Sequence, residues 1–135
     1  MAMSYLKPAL FTRTVFNRLA MRFGIGGAVT LAVAGHRSGR EQTIPVIPVT
    51  VAGARYLVSP RGEADWVRNL RAAGGGELRD KGKQERFRIS EIPVAERPPI
   101  LAAYQQVSGQ AVKGNFAALP NAADHPVFRI LPASR

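Results

Sequence analysis

The segment GHRSGR, residues 35–40, concentrates groups that bind anions between two apolar runs of the chain. Arg37 and Arg40 supply positive charge, and the hydroxyl of Ser38 can donate a hydrogen bond. The two glycines of the segment allow backbone angles that bring N–H groups close to a phosphate or a carboxylate. Charged hairpin turns with glycine are also common on solvated surfaces, so the segment by itself leaves both interpretations open.

The rest of the chain contains few groups that could catalyse a reaction without a cofactor. There is no cysteine, and His36 and His125 are the two histidines, so a metal site is not expected. The sequence shows no nucleophile paired with a base and no pair of carboxylates, which counts against hydrolysis. Hydride transfer is compatible with this scarcity, because a redox cofactor carries the reactive atom and the protein binds and orients it.

The charge of the chain favours an anionic partner. Nineteen Lys and Arg against nine Asp and Glu give a formal net charge of +10. Such a charge attracts nucleic acid, an acidic lipid surface or a multiply charged small ligand. One Trp, three Tyr and six Phe, with no recognisable reading motif, argue against nucleic acid, so we expect no nucleic-acid partner.

A chain of 135 residues is expected to form one folded domain. Residues 3–23 predict a basic amphipathic helix, which with a linker would cover 1–28 and precede a cofactor-binding domain over 29–135. Such a helix packs on its own domain, closes over a pocket or lies on an acidic membrane. We see no signal peptide and no apolar run of the roughly 20 residues that cross a bilayer. The expected location is therefore the cytoplasm, with peripheral contact at the inner face of the membrane as an alternative.

The segments that must position the 35–40 turn have the patterns of short strands and helices. Pro45 and Pro48 indicate that the run over 43–51 lies at a sheet edge or a bulge, because proline cannot donate to a strand ladder. We predict strands over 29–34, 43–51, 55–59, 77–80, 84–92 and 126–131, helices over 63–73 and 93–107, and a loop over 108–125. About six mostly antiparallel strands with covering helices indicate an α+β fold built on a small barrel.

The order LAVAGHRSGREQTIPV, a hairpin and then VSPRGEADWVRNLRAAG resembles the deazaflavin-dependent nitroreductase family, which are oxidoreductases with a split β-barrel fold. The resemblance covers residues 30–79 in motif detail, and the later hairpin, helix and last strand agree in layout. The family binds coenzyme F-420, an 8-hydroxy-5-deazaflavin whose tail carries a phosphodiester and several glutamates. The resemblance implies an FMN-binding-like split barrel and the same cofactor for this chain.

The resemblance also implies a set of cofactor-binding residues, in which the 35–40 turn holds the phosphate and the following strands and helix approach the ring system. The set is His36, Arg37, Ser38, Gly39, Arg40, Pro45, Val46, Ile47, Ser59, Arg61, Trp66 and Asn69. Where the family often has further basic residues, this chain carries His36 and Gln42, and Arg40 and Arg61 are the cations that could compensate.

The activity that the resemblance implies is hydride transfer to an electron-poor acceptor such as a quinone, an enone or a nitro compound. The proton that completes the reduction would come from water or from the hydroxyl of Ser59 or Tyr104, which are the candidate catalytic residues. An FMN-dependent reductase on the same barrel and a non-catalytic binder of deazaflavin or lipid are the alternatives. A homodimer is expected if the barrel exposes an apolar sheet face that a second copy covers.

Overall fold

The computed structural model describes residues 27–133, so the predicted helix over 3–23 lies outside the described residues. The strands of this range are β1 (Val29–Ala34), β2 (Glu41–Val46), β3 (Val49–Val51), β4 (Ala54–Val58), β5 (Gly75–Asp80), β6 (Lys83–Glu91) and β7 (Val127–Pro132). Its helices are α1 (Asp65–Ala73), α2 (Pro98–Ser108) and α3 (Gln110–Ala118), with 3-10 turns at Val94–Glu96 and Ala122–Asp124.

The seven strands described between residues 27 and 133 form one antiparallel sheet in the order β2-β1-β5-β6-β7-β4-β3. The edge strands β2 and β3 are separated in the chain by Ile47 and Pro48 alone. Three peptide units span no more than about 11 Å, so the sheet must curl until its two edges approach each other. The result is an α+β half-barrel, and the prediction that the two prolines mark a sheet edge is confirmed.

Tight two-residue turns join the strands of two hairpins, as the sequence predicts. Ala52 and Gly53 connect β3 to β4 with φ angles of 51° and 83°, and Lys81 and Gly82 connect β5 to β6 with φ angles of 52° and 81°. Positive φ at both central residues is the geometry that matches the twist of antiparallel strands. These turns fix the register of both hairpins.

The sheet has a packed layer on each face because its side chains alternate along the strands. Helix α1 packs inside the curl against β1 and β5, where Leu31, Leu70 and Phe128 are fully buried. Helix α2 covers the opposite face of β3 and β4, α3 packs against α2, and Ile100 and Val112 lie in a second cluster on that side. The 35–40 turn lies outside both layers, and we call it the β1–β2 turn below.

The loop that we predicted over 108–125 is wrong, because this segment forms helix α3 and a 3-10 turn. Gly109 separates α2 from α3 with φ 56° and ψ −135°, and only part of the following segment faces the core, so the apolar periodicity is weak. The predicted end of the helix at residue 73 is right, and Gly74 caps α1 at φ 79°. Gly75 and Gly76 instead begin β5, and a Cβ at Gly75 would collide with the carbonyl oxygen of Phe87. The strand count is seven instead of about six because the 43–51 run divides into β2 and β3.

The described surface does not carry the apolar sheet face on which we based the homodimer expectation. Among residues 27–133 the exposed large apolar side chains are Val94 and Val107, which lie on a 3-10 turn and on α2. The outer face of the sheet instead carries exposed arginines such as Arg86, Arg88 and Arg129. Within the described residues, no helix has both the length and the apolar character that crossing a membrane requires.

Candidate functional site

The β1–β2 turn is closed by hydrogen bonds within itself. The N–H of Gly35 donates to the carbonyl oxygen of Arg40 at 2.8 Å, and the N–H of Gly39 donates to the carbonyl oxygen of Gly35 at 2.9 Å. The N–H of Arg40 donates to Oγ of Ser38 at 3.1 Å. Gly39 has φ 75°, a value that glycine adopts without the strain that a Cβ would add. The turn therefore has a defined backbone conformation.

Several donors of this turn are available for a ligand. The N–H groups of Arg37 and Ser38 and the guanidinium groups of Arg37 and Arg40 bond to no group within the described range, residues 27–133. The hydroxyl of Ser38 accepts one hydrogen bond and can still donate one. All three residues are exposed. The turn thus offers two backbone donors, one hydroxyl and two positive charges to an anion.

Asn69 anchors the turn to helix α1 from below. Its Oδ1 atom accepts a hydrogen bond from the N–H of His36 at 2.9 Å and lies 2.5 Å from Nδ1 of the same residue. Its Nδ2 atom donates to Oε1 of Gln42 on β2 at 3.3 Å. Asn69 is 2% exposed, so its side chain is buried and forms its hydrogen bonds with His36 and Gln42. The structure brings Asn69 and His36 together, as the proposed set requires, but through a direct bond between them.

The closeness of Gln42 to residue 35 explains why the turn begins with glycine. A Cβ at Gly35 would lie 2.7 Å from Nε2 of Gln42 and 3.1 Å from Oγ of Ser38. Real Cβ atoms do not approach polar atoms so closely, so a larger residue would displace Gln42 or the turn. Because Gly35 has no Cβ, the turn can pack closely against Gln42 of β2.

The three residues proposed to follow the cofactor ring lie at the end of β2 in different layers. Pro45 is half-buried and pairs with Thr30 of β1. Val46 is 9% exposed in the inner core, and Ile47 is 2% exposed in the outer core beneath α2 and α3. Pro45 is therefore the member of this group with the most accessible side chain.

Trp66 of α1 lies in the inner core. It is 7% exposed, and its ring meets the ring of Phe128 edge to face, with 6.2 Å between centroids. Edge-to-face contacts of this kind stabilise aromatic cores. The indole thus supports the packing of α1 under the turn, and little of its surface is open to a ligand.

The hydroxyl of Ser59 is used inside the protein. Ser59 follows β4 and is fully buried, and its Oγ donates to the carbonyl oxygen of Gly62 at 2.5 Å. Its N–H donates to the carbonyl oxygen of Pro126 at 3.0 Å. These bonds shape the short connection from β4 to α1, which also contains the half-buried Arg61.

Tyr104 of α2, the second candidate catalytic hydroxyl, is buried in the outer core. Burial raises the pKa of Tyr104 well above its ordinary value of 10.0, against smaller opposing effects of the nearby Arg61 charge and a hydrogen bond with Ser108. Its ring lies 6.2 Å from that of Phe116 on α3. The structure thus places Tyr104 and Ser59 in the interior, whereas His36, Arg37, Ser38, Gly39 and Arg40 of the β1–β2 turn are exposed.

His125 is a buried polar centre whose connections the sequence did not reveal. Its Nδ1 lies 2.8 Å from the carbonyl oxygen of Ser59, and its Nε2 lies 2.5 Å from that of Leu119. Its ring stacks on Phe116 with 4.1 Å between centroids. Carbonyl oxygens cannot donate a hydrogen bond, so at least one of these two contacts is a hydrogen bond that the ring donates. Both partners are backbone atoms and Ser59 is 66 positions away, so no sequence motif could have indicated these contacts.

A surface cavity of about 290 Å³ lies beside the β5–β6 hairpin. It is lined by Thr30, Arg79, Asp80, Lys81, Gly82, Lys83 and Gln84. None of the proposed cofactor-binding residues lines it. Arg79 in its wall is held by Glu41 and Glu77, which occupies its guanidinium group.

The fold is shared with several solved structures at low sequence identity. An F420 reductase is 11% identical, with a TM-score of 0.54 over 79% of this chain and 87% of the other. A NimC/NimA family protein from Clostridium acetobutylicum is 12% identical, with a TM-score of 0.57 over 84% and 81%. A domain-swapped dimer is 19% identical, with a TM-score of 0.56 over 89% and 96%. The chain therefore has the split β-barrel fold, as the sequence resemblance predicts.

Other structures with this fold are named for different cofactors. A FAD-binding protein from Mesorhizobium loti is 16% identical, with a TM-score of 0.53 over 94% of this chain and 91% of the other. A heme-binding protein from Mycobacterium smegmatis is 13% identical, with a TM-score of 0.55, and this chain covers 52% of it. No protein-family model matches the chain, and no curated protein matches it by sequence. These likenesses therefore show the split β-barrel fold, which proteins named for different cofactors share.

Proposed function

We propose that this protein is a deazaflavin-dependent reductase that binds the phosphate of coenzyme F-420 at the β1–β2 turn. The observation that carries the proposal is the set of donors at the turn, where Arg37, Ser38 and Arg40 are exposed and have no partner for their spare donors among residues 27–133. Two cations and two backbone N–H groups on a defined turn form a strong site for a phosphodiester. The fold of this chain, which an F420 reductase shares, supports the proposal.

The described residues provide clear binding groups for the phosphate of the cofactor and fewer for its ring system. The turn supplies charge and backbone donors, and the accessible Pro45 at the end of β2 is the proposed neighbour of the ring system. Val46, Ile47 and Trp66 would act beneath the surface, as the packed support of the ring site. When bound, the reduced cofactor supplies the hydride, and the protein supplies binding and orientation.

The proton that completes the reduction is proposed to come from water. Ser59 and Tyr104 remain the candidate hydroxyl groups of the chain, but each is buried. Ser59 would have to give up its bond to Gly62, and the raised pKa of Tyr104 makes its hydroxyl a weaker acid. A water molecule beside the exposed β1–β2 turn would donate the proton without either of these changes.

A second candidate function is that of an FMN-dependent reductase on the same barrel. It is favoured by the donor set of the turn, which suits a phosphate monoester as well as a diester, and by the shared fold of a FAD-binding protein. The absorption spectrum of the cofactor that the purified protein retains distinguishes the two. A deazaflavin spectrum supports the first proposal, and a flavin spectrum supports the second.

The catalytic part of the proposal is tested by mixing reduced coenzyme F-420 with the protein and a menaquinone analogue, and following the return of the oxidised cofactor absorbance. We expect oxidation above the protein-free rate, and its loss in Arg37→Ala. Ser59→Ala and Tyr104→Phe should retain most of the rate if water is the proton donor. Binding of the cofactor without oxidation, for quinone, enone and nitro acceptors alike, would instead favour a non-catalytic binder of deazaflavin.

Two partner proposals rest on features that the described residues do not test. The basic segment over 3–23 is proposed to contact acidic membrane at the periphery, so deleting it should abolish binding to anionic vesicles. A homodimer is proposed because a protein of the same fold is a domain-swapped dimer, and sedimentation of the full chain tests it. The partner in the proposed reaction itself is a small-molecule electron acceptor.

A further inference from the structure

The hydrogen bonds at Asn69 determine which ring nitrogen of His36 carries a hydrogen. The backbone N–H of His36 can only donate, so the Asn69 atom that it contacts at 2.9 Å must be the carbonyl oxygen. Nδ1 of His36 lies 2.5 Å from that same oxygen. A contact this short with an acceptor requires that Nδ1 itself carries the hydrogen. The neutral ring therefore has its hydrogen on Nδ1, and Nε2 is left with a lone pair.

Nε2 of His36 is the nitrogen that can gain a proton without losing a bond. His36 is exposed, and its Nε2 bonds to no residue that the structure describes between positions 27 and 133. Protonation at Nε2 would leave the Nδ1–H bond to Asn69 intact and strengthen it, because a charged donor bonds more strongly. The ring would then add a third positive charge to a turn that already carries Arg37 and Arg40.

We infer that Asn69 is a positioning residue that holds His36 as a pH-dependent member of the anion site in the β1–β2 turn. The inference rests on the proposed function, since it concerns the same turn, and it adds a form of regulation. An anion at the turn stabilises the protonated ring, so by linkage a lower pH strengthens binding of the anion. A protonated histidine next to an anion at contact distance in water strengthens binding by about fivefold.

The other charged groups around His36 are already paired or carry a fixed charge over the relevant pH range. The turn itself contributes Arg37 and Arg40. Strand β2 contributes Glu41, which is bound to Arg79. Helix α1 contributes Asp65, which pairs with Arg68, and Arg71, which is bound to Glu63 and Glu91. None of these groups has an unperturbed pKa between about 5 and 8, whereas an imidazole changes charge there. A pH effect on binding in that range that is lost in His36→Gln therefore belongs to His36.

Sulfate is the probe for this inference, because it remains a dianion across the range and resembles a phosphate. Binding is measured at about pH 5.5 and about pH 8 from the amide NMR shifts of Arg37 and Ser38, in wild type and in His36→Gln. Glutamine keeps a polar side chain of similar length but cannot gain a charge in this range. The buried His125 is common to both proteins, so any effect from it cancels.

Wild type should bind sulfate at least about fivefold more tightly at the lower pH, because a dianion gains more than a single charge would, and His36→Gln should show almost no difference. A long-range nitrogen-15 spectrum of wild type at the higher pH should also show the hydrogen of His36 on Nδ1, whereas free histidine prefers Nε2. Hydrogen on Nε2, or an equal pH effect in His36→Gln, overturns the inference while the anion site stands. Failure of sulfate to shift the turn at either pH overturns both the inference and the phosphate site of the proposed function.

Discussion

Replacement of Asn69 by alanine should destabilise the protein by an amount that follows from its three hydrogen bonds. The substitution removes the acceptor of two His36 donors and the weaker 3.3 Å bond to Gln42. A net contribution of about 1 kcal/mol for each strong bond, with the lost packing of a side chain that is 2% exposed, gives about 2–3 kcal/mol. For a domain of this size the melting temperature should fall by about 7–10 °C.

The assay is thermal unfolding followed by circular dichroism, with Arg68→Ala as the matched control. Arg68 neighbours Asn69 on α1, but its side chain is 43% exposed and its ion pair with Asp65 spans 3.6 Å, so its loss should cost less than about 0.5 kcal/mol. Hydrogen exchange of the His36 amide should also become faster in Asn69→Ala, because that N–H loses its acceptor. If Asn69→Ala and Arg68→Ala unfold at the same temperature, Asn69 does not hold the turn and the account of the site is wrong.

Three further substitutions test other parts of the structure. Gly75→Ala should lower the free energy of unfolding in urea by more than about 2 kcal/mol, because the new Cβ would collide with the carbonyl oxygen of Phe87. Unchanged stability would show that β5 and β6 can separate at this point. His125→Leu should cost about 2 kcal/mol or more, since the ring's contacts with the carbonyl oxygens of Ser59 and Leu119 are lost, and a loss below about 1 kcal/mol would contradict that geometry. Hydrogen bonds from Arg71 lower the pKa of Glu91 from 4.5, so the stability that Glu91 contributes is present above its unfolded-state pKa and is lost as the pH falls through the lower folded-state pKa. Glu91→Gln should therefore weaken the fall of the melting temperature with acid below about pH 4.5, and an unchanged acid dependence would count against this ion pair.

The sequence predicted the strands best where β-branched runs are bounded by turn residues. Strand β1 has the predicted limits, and the prolines indicated the edges of the sheet, because backbone geometry forbids them elsewhere. Helix α3 was missed because its apolar spacing is weak and Gly109 precedes it. Local patterns of this kind determine short elements, whereas the curl of the sheet depends on contacts between distant strands.

The candidate site was predicted in part, for a similar reason. The charge and glycine content of the β1–β2 turn are local features, so the sequence could indicate an anion site there. The bond between His36 and Asn69 joins residues that are 33 positions apart, and the two backbone partners of His125 have no side-chain signature. The resemblance placed Trp66 among the cofactor-binding residues, and its burial against Phe128 became visible only in the folded chain.

The central claim is that the β1–β2 turn binds the phosphate of a deazaflavin, and a fluorescence titration tests it most directly. Wild type, Arg37→Ala and Ser38→Ala would each be titrated with coenzyme F-420 and with FMN. Arg129→Ala is the control, because it removes an equal charge from an exposed residue of β7, a strand that is separated from β1 by β5 and β6 in the sheet order. We expect wild type and Arg129→Ala to bind F-420 alike, and Arg37→Ala to bind it roughly tenfold to a hundredfold more weakly. Absence of binding to both ligands, or equal binding by Arg37→Ala and wild type, would contradict the claim.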